Sequence, residues 1–121
     1  IYIEAKKKNN GTWEAYKYYG REKTGINVID WIEEVQNMEC GEILLTSVDH
    51  EGTQEGFDLE LINEIKNKIK VPLIFSGGFG KIEHLHEALK LTKNISFAIA
   101  SAFHYKKVDI NKIIYEKNMH Y

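Results

Sequence analysis

Apolar residues along this chain follow two different spacings. Nearly continuous aliphatic runs fall at residues 1–5, 42–47, 73–75 and 95–100, and each is expected to be a strand. Between these runs apolar residues recur every three or four positions, the spacing of an amphipathic helix. Asn27 is a cap candidate for a helix that turns Val28, Trp31, Ile32 and Val35 inward. Asp58 caps a second helix with Leu61, Ile62, Ile65 and Ile69 on its apolar stripe. A third places Ile82, Leu85 and Leu89 inward, and Asp109 caps a fourth with Ile110, Ile113 and Ile114. The polar residues 6–10 end in Asn9-Asn10-Gly11, a turn signal. Residues 12–19 read as a short ribbon or ordered loop, and residues 20–25 as a second loop with a glycine at each end.

The order is strand then helix, four times over, which predicts an α/β fold with a parallel sheet and crossover helices. Each unit takes about 30 residues, as in a (β/α)₈ barrel of roughly 250 residues. Four units make a (β/α)₄ half-barrel spanning residues 1–121, and the chain opens on Ile1-Tyr2-Ile3 as though inside a strand. No G-x-G-x-x-G follows the first strand, which argues against dinucleotide binding, and a flavodoxin-like sheet needs five strands. A half-barrel leaves sheet edges and an inner face uncovered, so self-association or pairing with a complementary half is expected.

Composition narrows the function classes. With 43% hydrophobic and 28% charged residues the chain is expected to fold rather than stay disordered. A net charge of -2 supplies no global field for nucleic acid. No apolar run approaches the roughly 18 residues of a membrane span. Cys40, the single cysteine, allows neither an internal disulfide nor a Cys-based zinc site and is expected to be a small buried hydrophobe. A reducing, cytoplasmic setting follows as the default.

Ligands of α/β folds gather at the carboxyl ends of the strands. There the sequence places Ser76-Gly77-Gly78-Phe79-Gly80 between a strand and a helix, where backbone N–H groups can converge on an anion. Gly77 and Gly78, with Ala100 and Ser101 at the end of the next strand, form a candidate phosphate site; tight turns joining strand to helix are the plain alternative. Thr46, Ser47, Asp49, Glu51 and Gly52 end the second aliphatic run and suit ligand contact. In an extended segment Asp49 and Glu51 would share a face; a solvated loop is the alternative. Glu4 is a carboxylate inside an apolar strand. It is a candidate general acid or base, or else the partner of Lys6 or Lys7 in an ion pair. His84 and His86 lie two apart on a helix and point apart, a poor metal pair. His104 is assigned to packing at the barrel rim, His50 sits in the polar loop, and His120 lies near the terminus. Trp31 reads as core and Trp13 as packing within the ribbon.

Taken together, Gly41-Glu42-Ile43-Leu44-Leu45-Thr46-Ser47-Val48-Asp49-His50-Glu51-Gly52-Thr53, Gly56-Phe57-Asp58, Ser76-Gly77-Gly78-Phe79-Gly80-Lys81-Ile82-Glu83-His84 and Ala100-Ser101-Ala102-Phe103-His104 resemble the cyclase subunit of imidazole glycerol phosphate synthase. They match its carboxyl-terminal half, strands five to eight. The Thr46-Ser47 pair favours this family over the related isomerase of the same pathway. The resemblance implies an enzyme of histidine biosynthesis. Its bisphosphorylated ribonucleotide substrate, a phosphoribulosyl-formimino aminoimidazole carboxamide ribonucleotide, is cleaved with ammonia. The products are imidazole glycerol phosphate and aminoimidazole carboxamide ribonucleotide. It also implies a glutaminase partner at the amino-terminal barrel face, with Glu42 matching a charged gate on the ammonia path, and calls for no cofactor or metal. Of the family's two catalytic aspartates, one lies in the first strand, outside this chain, and the other is matched by Glu4. Glu51 likewise stands where Asp is common. One added methylene moves a carboxylate by about an ångström, and such a displacement can cost about 10²-fold in rate. An amidotransferase-linked paralogue acting on a sugar nucleotide, and an inactive phosphate-binding half-barrel, are the alternative readings.

Overall fold

A computed structural model describes residues 1–18 and 20–99. The elements run β1 (Tyr2–Lys7), β2 (Trp13–Lys17), β3 (Glu22–Asn27), α1 (Val28–Asn37), β4 (Ile43–Ser47), α2 (Leu59–Ile65), β5 (Leu73–Ser76), α3 (Ile82–Leu91) and β6 (Ile95–Phe97). The six strands form one sheet in the order β3-β2-β1-β4-β5-β6. From β1 through β6 by way of β4 and β5 the pairing is parallel. The α/β architecture of parallel strands with crossover helices therefore stands, consistent with half of a TIM barrel.

The simple strand–helix alternation needs one correction. Residues 20–25 are not a loop: β3 takes up most of them and pairs antiparallel with β2, which in turn pairs antiparallel with β1. The sheet is thus mixed, with a hairpin at one edge. The edge position explains the deceptive sequence, because β3 is half solvated and needs no aliphatic run. The partner strand holds it instead: the Thr24 hydroxyl donates to the Ala15 carbonyl at 2.6 Å, and Gly25 N donates to Glu14 Oε2 at 3.1 Å. The same pairing carries β1 past residue 5, since Lys6 and Lys7 face Glu14 and Trp13 in the ladder.

Of the three expected caps, the two within the described residues form. Asn27 accepts from Asp30 N at 3.1 Å and Asp58 from Leu61 N at 3.1 Å, each satisfying an otherwise orphaned helix-end donor. Val28, Ile32 and Val35 of α1 are buried, while Trp31 is half-buried against the same core. Leu61, Ile62 and Ile65 of α2 are buried, and Ile69 packs partly buried beyond the helix end. Ile82, Leu85 and Leu89 of α3 are buried as the spacing predicts. Cys40 is half-buried at the core margin rather than fully enclosed. The fourth aliphatic run is strand only over β6, shorter than expected: residues 98 and 99 leave the ladder, although Ala98 N still donates to Phe75 O at 2.9 Å. The expected helix capped by Asp109, with His104 and His120, lies outside the described residues.

Alternation along the strands gives the sheet two unlike faces. Ile3, Ala5, Ile43, Leu45, Leu73, Phe75 and Ile95 are buried in the same core as the helices' apolar residues. The other face presents Tyr2 and Glu4 on β1, Leu44 and Thr46 on β4, Ile74 and Ser76 on β5, and Ser96 on β6, in register across the ladder. Tyr2 and Ile74 stand exposed there.

Candidate functional site

The carboxyl ends of β1, β4 and β5 lie side by side, so the loops leaving them meet at one end of the sheet. The loop after β5 is the most constrained. Gly77 and Gly78 have φ of +106° and +108°, a region L side chains rarely adopt. Space excludes a side chain as well. A Cβ on Gly77 would lie 2.7 Å from the Ser47 carbonyl oxygen, and one on Gly78 would collide with the Gly56 carbonyl. Gly56 N donates to Gly78 O at 2.7 Å, which fastens this loop to the loop after β4. Beneath it Phe57, Phe75, Phe79 and Phe97 pack in a cluster, with Phe57 and Phe97 centroids 4.9 Å apart.

His84 finishes the loop. Lys81 is the N-cap of α3, and its ammonium has donors only, so it cannot accept from the first amides of the helix. His84 Nδ1 serves a different pair of amides, the N-cap's own and the one before it, accepting from Lys81 N at 3.3 Å and Gly80 N at 3.0 Å. This is the side chain at N3 reaching back to the cap, one half of a capping box. Burial and the neighbouring Lys81 hold its pKa below the usual histidine value. His84 points inward as a structural acceptor. No group of metal-ligating side chains occurs among the described residues.

The loop after β4 is a compact turn and not an extended segment. His50 N and Glu51 N both turn back to Ser47 O, at 3.3 and 3.0 Å. Asp49 and Glu51 therefore do not share an extended face, which corrects that expectation. Asp49 Oδ2 accepts from Lys7 N at 2.8 Å, while the Glu51 side chain and Gly52 are exposed. Ser47 is fully buried, and its hydroxyl has no partner among the described residues.

On the open face Thr46 is the centre of a hydroxyl chain. Its Oγ1 lies 2.6 Å from Ser76 Oγ and accepts from the Tyr2 hydroxyl at 3.2 Å. Glu4 sits beside it in the ladder, paired with Thr46 on one side and Tyr16 on the other. Glu4 is buried at 5% exposure, and its Oε2 accepts from Gly20 N at 3.4 Å. The ion pair with Lys6 or Lys7 does not form: Lys7 pairs with Glu60, and Lys6 lies over the Tyr16 ring. A cavity of about 450 Å³ opens here, lined by Tyr2, Glu4, Tyr16, Lys17 and Tyr18.

A second cavity of about 560 Å³ lies between the end of β1 and the start of α2, with His50, Asp49 and Asp58 in its wall. Here Trp13 is more than packing, for its Nε1 donates to Asp58 Oδ2 at 3.1 Å and so joins the hairpin to the α2 cap. His50 Nδ1 donates to the Gly56 carbonyl at 3.0 Å. Glu42 is exposed immediately before β4, at the opposite, amino end of the strands. Ala100 and Ser101 lie outside the described residues.

The structure thus brings Glu4, Thr46, Ser47, Asp49, Gly77 and Gly78 to one end of the sheet and leaves Glu42 at the other. Ser76, which opens the glycine motif, joins them, as do Tyr2, Tyr16 and His84, which carry no sequence signal of their own except that His84 occupies N3 behind a lysine that cannot cap. The glycine loop and the buried carboxylate stand at the carboxyl ends of parallel strands, the end at which α/β folds gather their ligands. The chain belongs to the family described as Histidine biosynthesis protein, whose pattern matches residues 1–109. It is 39% identical over 123 residues to Imidazole glycerol phosphate synthase subunit HisF of Hydrogenobaculum sp. (strain Y04AAS1), covering 99% of this chain and 49% of that protein. The subunit of the same name from Thermococcus onnurineus (strain NA1) is 45% identical over 113 residues, 93% of this chain and 44% of that one. That of Clostridium botulinum (strain 657 / Type Ba4) is 41% identical over 108 residues, 89% and 43%. The chain spans about half the length of the curated relatives it matches.

Proposed function

We propose that residues 1–121 supply strands five to eight of an imidazole glycerol phosphate synthase cyclase barrel, completed by a complementary half. Ammonia from a glutaminase partner cleaves the phosphoribulosyl-formimino aminoimidazole carboxamide ribonucleotide. Ring closure then gives imidazole glycerol phosphate and aminoimidazole carboxamide ribonucleotide. Glu4 serves as acid or base. Gly77 and Gly78, with Ala100 and Ser101, hold one of the two phosphates, and Thr46, Ser47, Asp49, Glu51 and Gly52 hold the body of the substrate. Glu42, on the far side of the sheet, gates the ammonia path where the glutaminase docks. The setting is the cytoplasm; among the described residues no helix is long and apolar enough to cross a membrane.

One observation carries this reading. The glycine loop, sterically barred to other residues at Gly77 and Gly78, stands at the same sheet end as the buried carboxylate of Glu4. The relatives' shared name supports imidazole glycerol phosphate synthase over a sugar-nucleotide paralogue or an inactive half-barrel.

The test is ammonia-dependent consumption of the ribonucleotide. The 121-residue chain alone is expected to show none, and the chain joined to its complementary half to show turnover. Glu4→Gln in that assembly should lower turnover by about 10²-fold or more, the range for losing a general acid or base. Full activity in Glu4→Gln would remove Glu4 from the chemistry. Phosphate binding is read separately, from shifts of the Gly77 and Gly78 amide resonances on adding inorganic phosphate. Substituting Gly78 is uninformative, because any Cβ there breaks the loop against Gly56 before its charge can matter.

A further inference from the structure

We propose that His84 is the positioning residue of the glycine loop: its Nδ1 claims the amides of Gly80 and Lys81, leaving those of Gly77 and Gly78 to face a phosphate. The proposal rests on the phosphate reading above and adds to it the device that selects the donors. A helix begins with unsatisfied N–H groups, and an anion at that end ordinarily competes for all of them. Here the N-cap amide of Lys81 and the Gly80 amide just before it are already spent inward, at 3.3 and 3.0 Å, on a buried ring. The ring itself is fixed from two directions. Phe79 meets it edge-on with centroids 6.5 Å apart, and Gly56 lies against its other atoms, near enough that a Cβ there would be in ordinary van der Waals contact at 3.5 Å. The loop is therefore held at both sides, by His84 below and by the Gly56–Gly78 hydrogen bond across.

This arrangement works in one protonation state. Nδ1 accepts only while it carries no proton; an imidazolium would set N–H against two N–H donors. The charged groups acting on the ring are Lys81, which disfavours protonation, and Glu87 and Glu83, which favour it, all near or on its own helix. Gly56 and Phe79, across from it, carry no charge. Protonation of His84 releases the loop, so phosphate binding weakens in acid for a reason beyond the titration of phosphate itself.

Two substitutions separate the nitrogens. Asn places an oxygen where Nδ1 stands, and Gln places one near Nε2. Inorganic phosphate is titrated into the full chain, with binding followed at the Gly77 and Gly78 amides and folding by the whole amide spectrum. His84→Asn is expected to bind within a few-fold of the parent, and His84→Gln about tenfold more weakly, the worth of about one hydrogen bond. As pH falls below about 6.5, the parent should lose affinity relative to His84→Asn, a comparison in which the ligand's own titration cancels. Equal binding by parent and His84→Gln with no such divergence overturns the proposal. If the variants do not fold, nitrogen-15 shifts of the parent decide: an unprotonated Nδ1 supports it and a protonated Nδ1 overturns it. Absence of any phosphate response in the parent instead overturns the phosphate reading, and the His84 tautomer still reports on the loop.

Discussion

The two faces of the sheet are built from neighbouring residues of the same strands, yet they do opposite work. On the helix side Ile3, Leu45, Phe75 and Ile95 are almost wholly enclosed, and their roles are interchangeable: each fills volume. On the other side the same strands offer Glu4, Thr46 and Ser76 in consecutive register, with hydroxyl contacts joining Thr46 to Ser76 and to Tyr2, and Tyr2 and Ile74 exposed beside them. Hydrophobic burial therefore stabilises the sheet from one side, which frees the other for polar groups a closed core would not tolerate unpaired.

The sharpest way to break this contrast is to truncate one residue on each face of β5. Phe75→Ala should cost about 3–5 kcal/mol in urea unfolding, the range for emptying a buried aromatic site. Ile74→Ala, its exposed neighbour, should cost under about 1 kcal/mol. Comparable losses at the two positions would mean that the open face is also part of the stabilising core. Asp58→Ala removes both the α2 cap and the acceptor of the Trp13 indole, and is expected to cost about 2 kcal/mol. Trp13→Phe loses that bond and also shrinks a buried ring, so it should cost more than the about 1 kcal/mol of the hydrogen bond alone.

His84 brings pH into the comparison on the covered side. Its folded pKa lies below its unfolded value, so the unfolded chain takes up the proton more readily. The stabilisation is fully present above about pH 6.5, the unfolded value, and is lost as pH falls through the lower folded value. Urea midpoints of the parent should drop over that window, and those of His84→Asn should drop less. At the small end, Lys7→Ala should leave the midpoint unchanged. Pairing with Glu60 raises the pKa of Lys7 and lowers that of Glu60, but both groups are at the surface and screened by solvent.

How much of this was legible in the sequence depends on how local each signal is. Asn27 and Asp58 announce their helices because a cap is decided within four residues. The glycine loop is legible for the same reason: two adjacent glycines between a strand and a helix name both the turn and its conformation. β3 is not, since Glu22, Lys23 and Gly25 carry no strand pattern, and the segment becomes a strand only because β2 lies beside it. The Tyr2–Thr46–Ser76 chain is hidden for a related reason, since it depends on the register of three strands. Asp49 and Glu51 mislead because their spacing implies a shared face only in extended backbone, and the turn closed on Ser47 O removes that condition.

The hairpin also limits how the sheet can be joined to anything further. In a closed ring each strand has two neighbours, and β1 already has both along part of its length: β4 beside Tyr2–Ala5 and β2 beside Glu4–Lys7. Of the ladder positions on β1, only Tyr2 and Ile3 have no partner on the β2 side. A strand arriving there has a short landing, two residues long, before it meets the hairpin, whereas among the described residues no strand lies on the outer edge of β6. The two seams of a completed barrel would then be unequal, one zipped along a strand and the other pinned near the base of β1 with β2 and β3 standing above it as a flap.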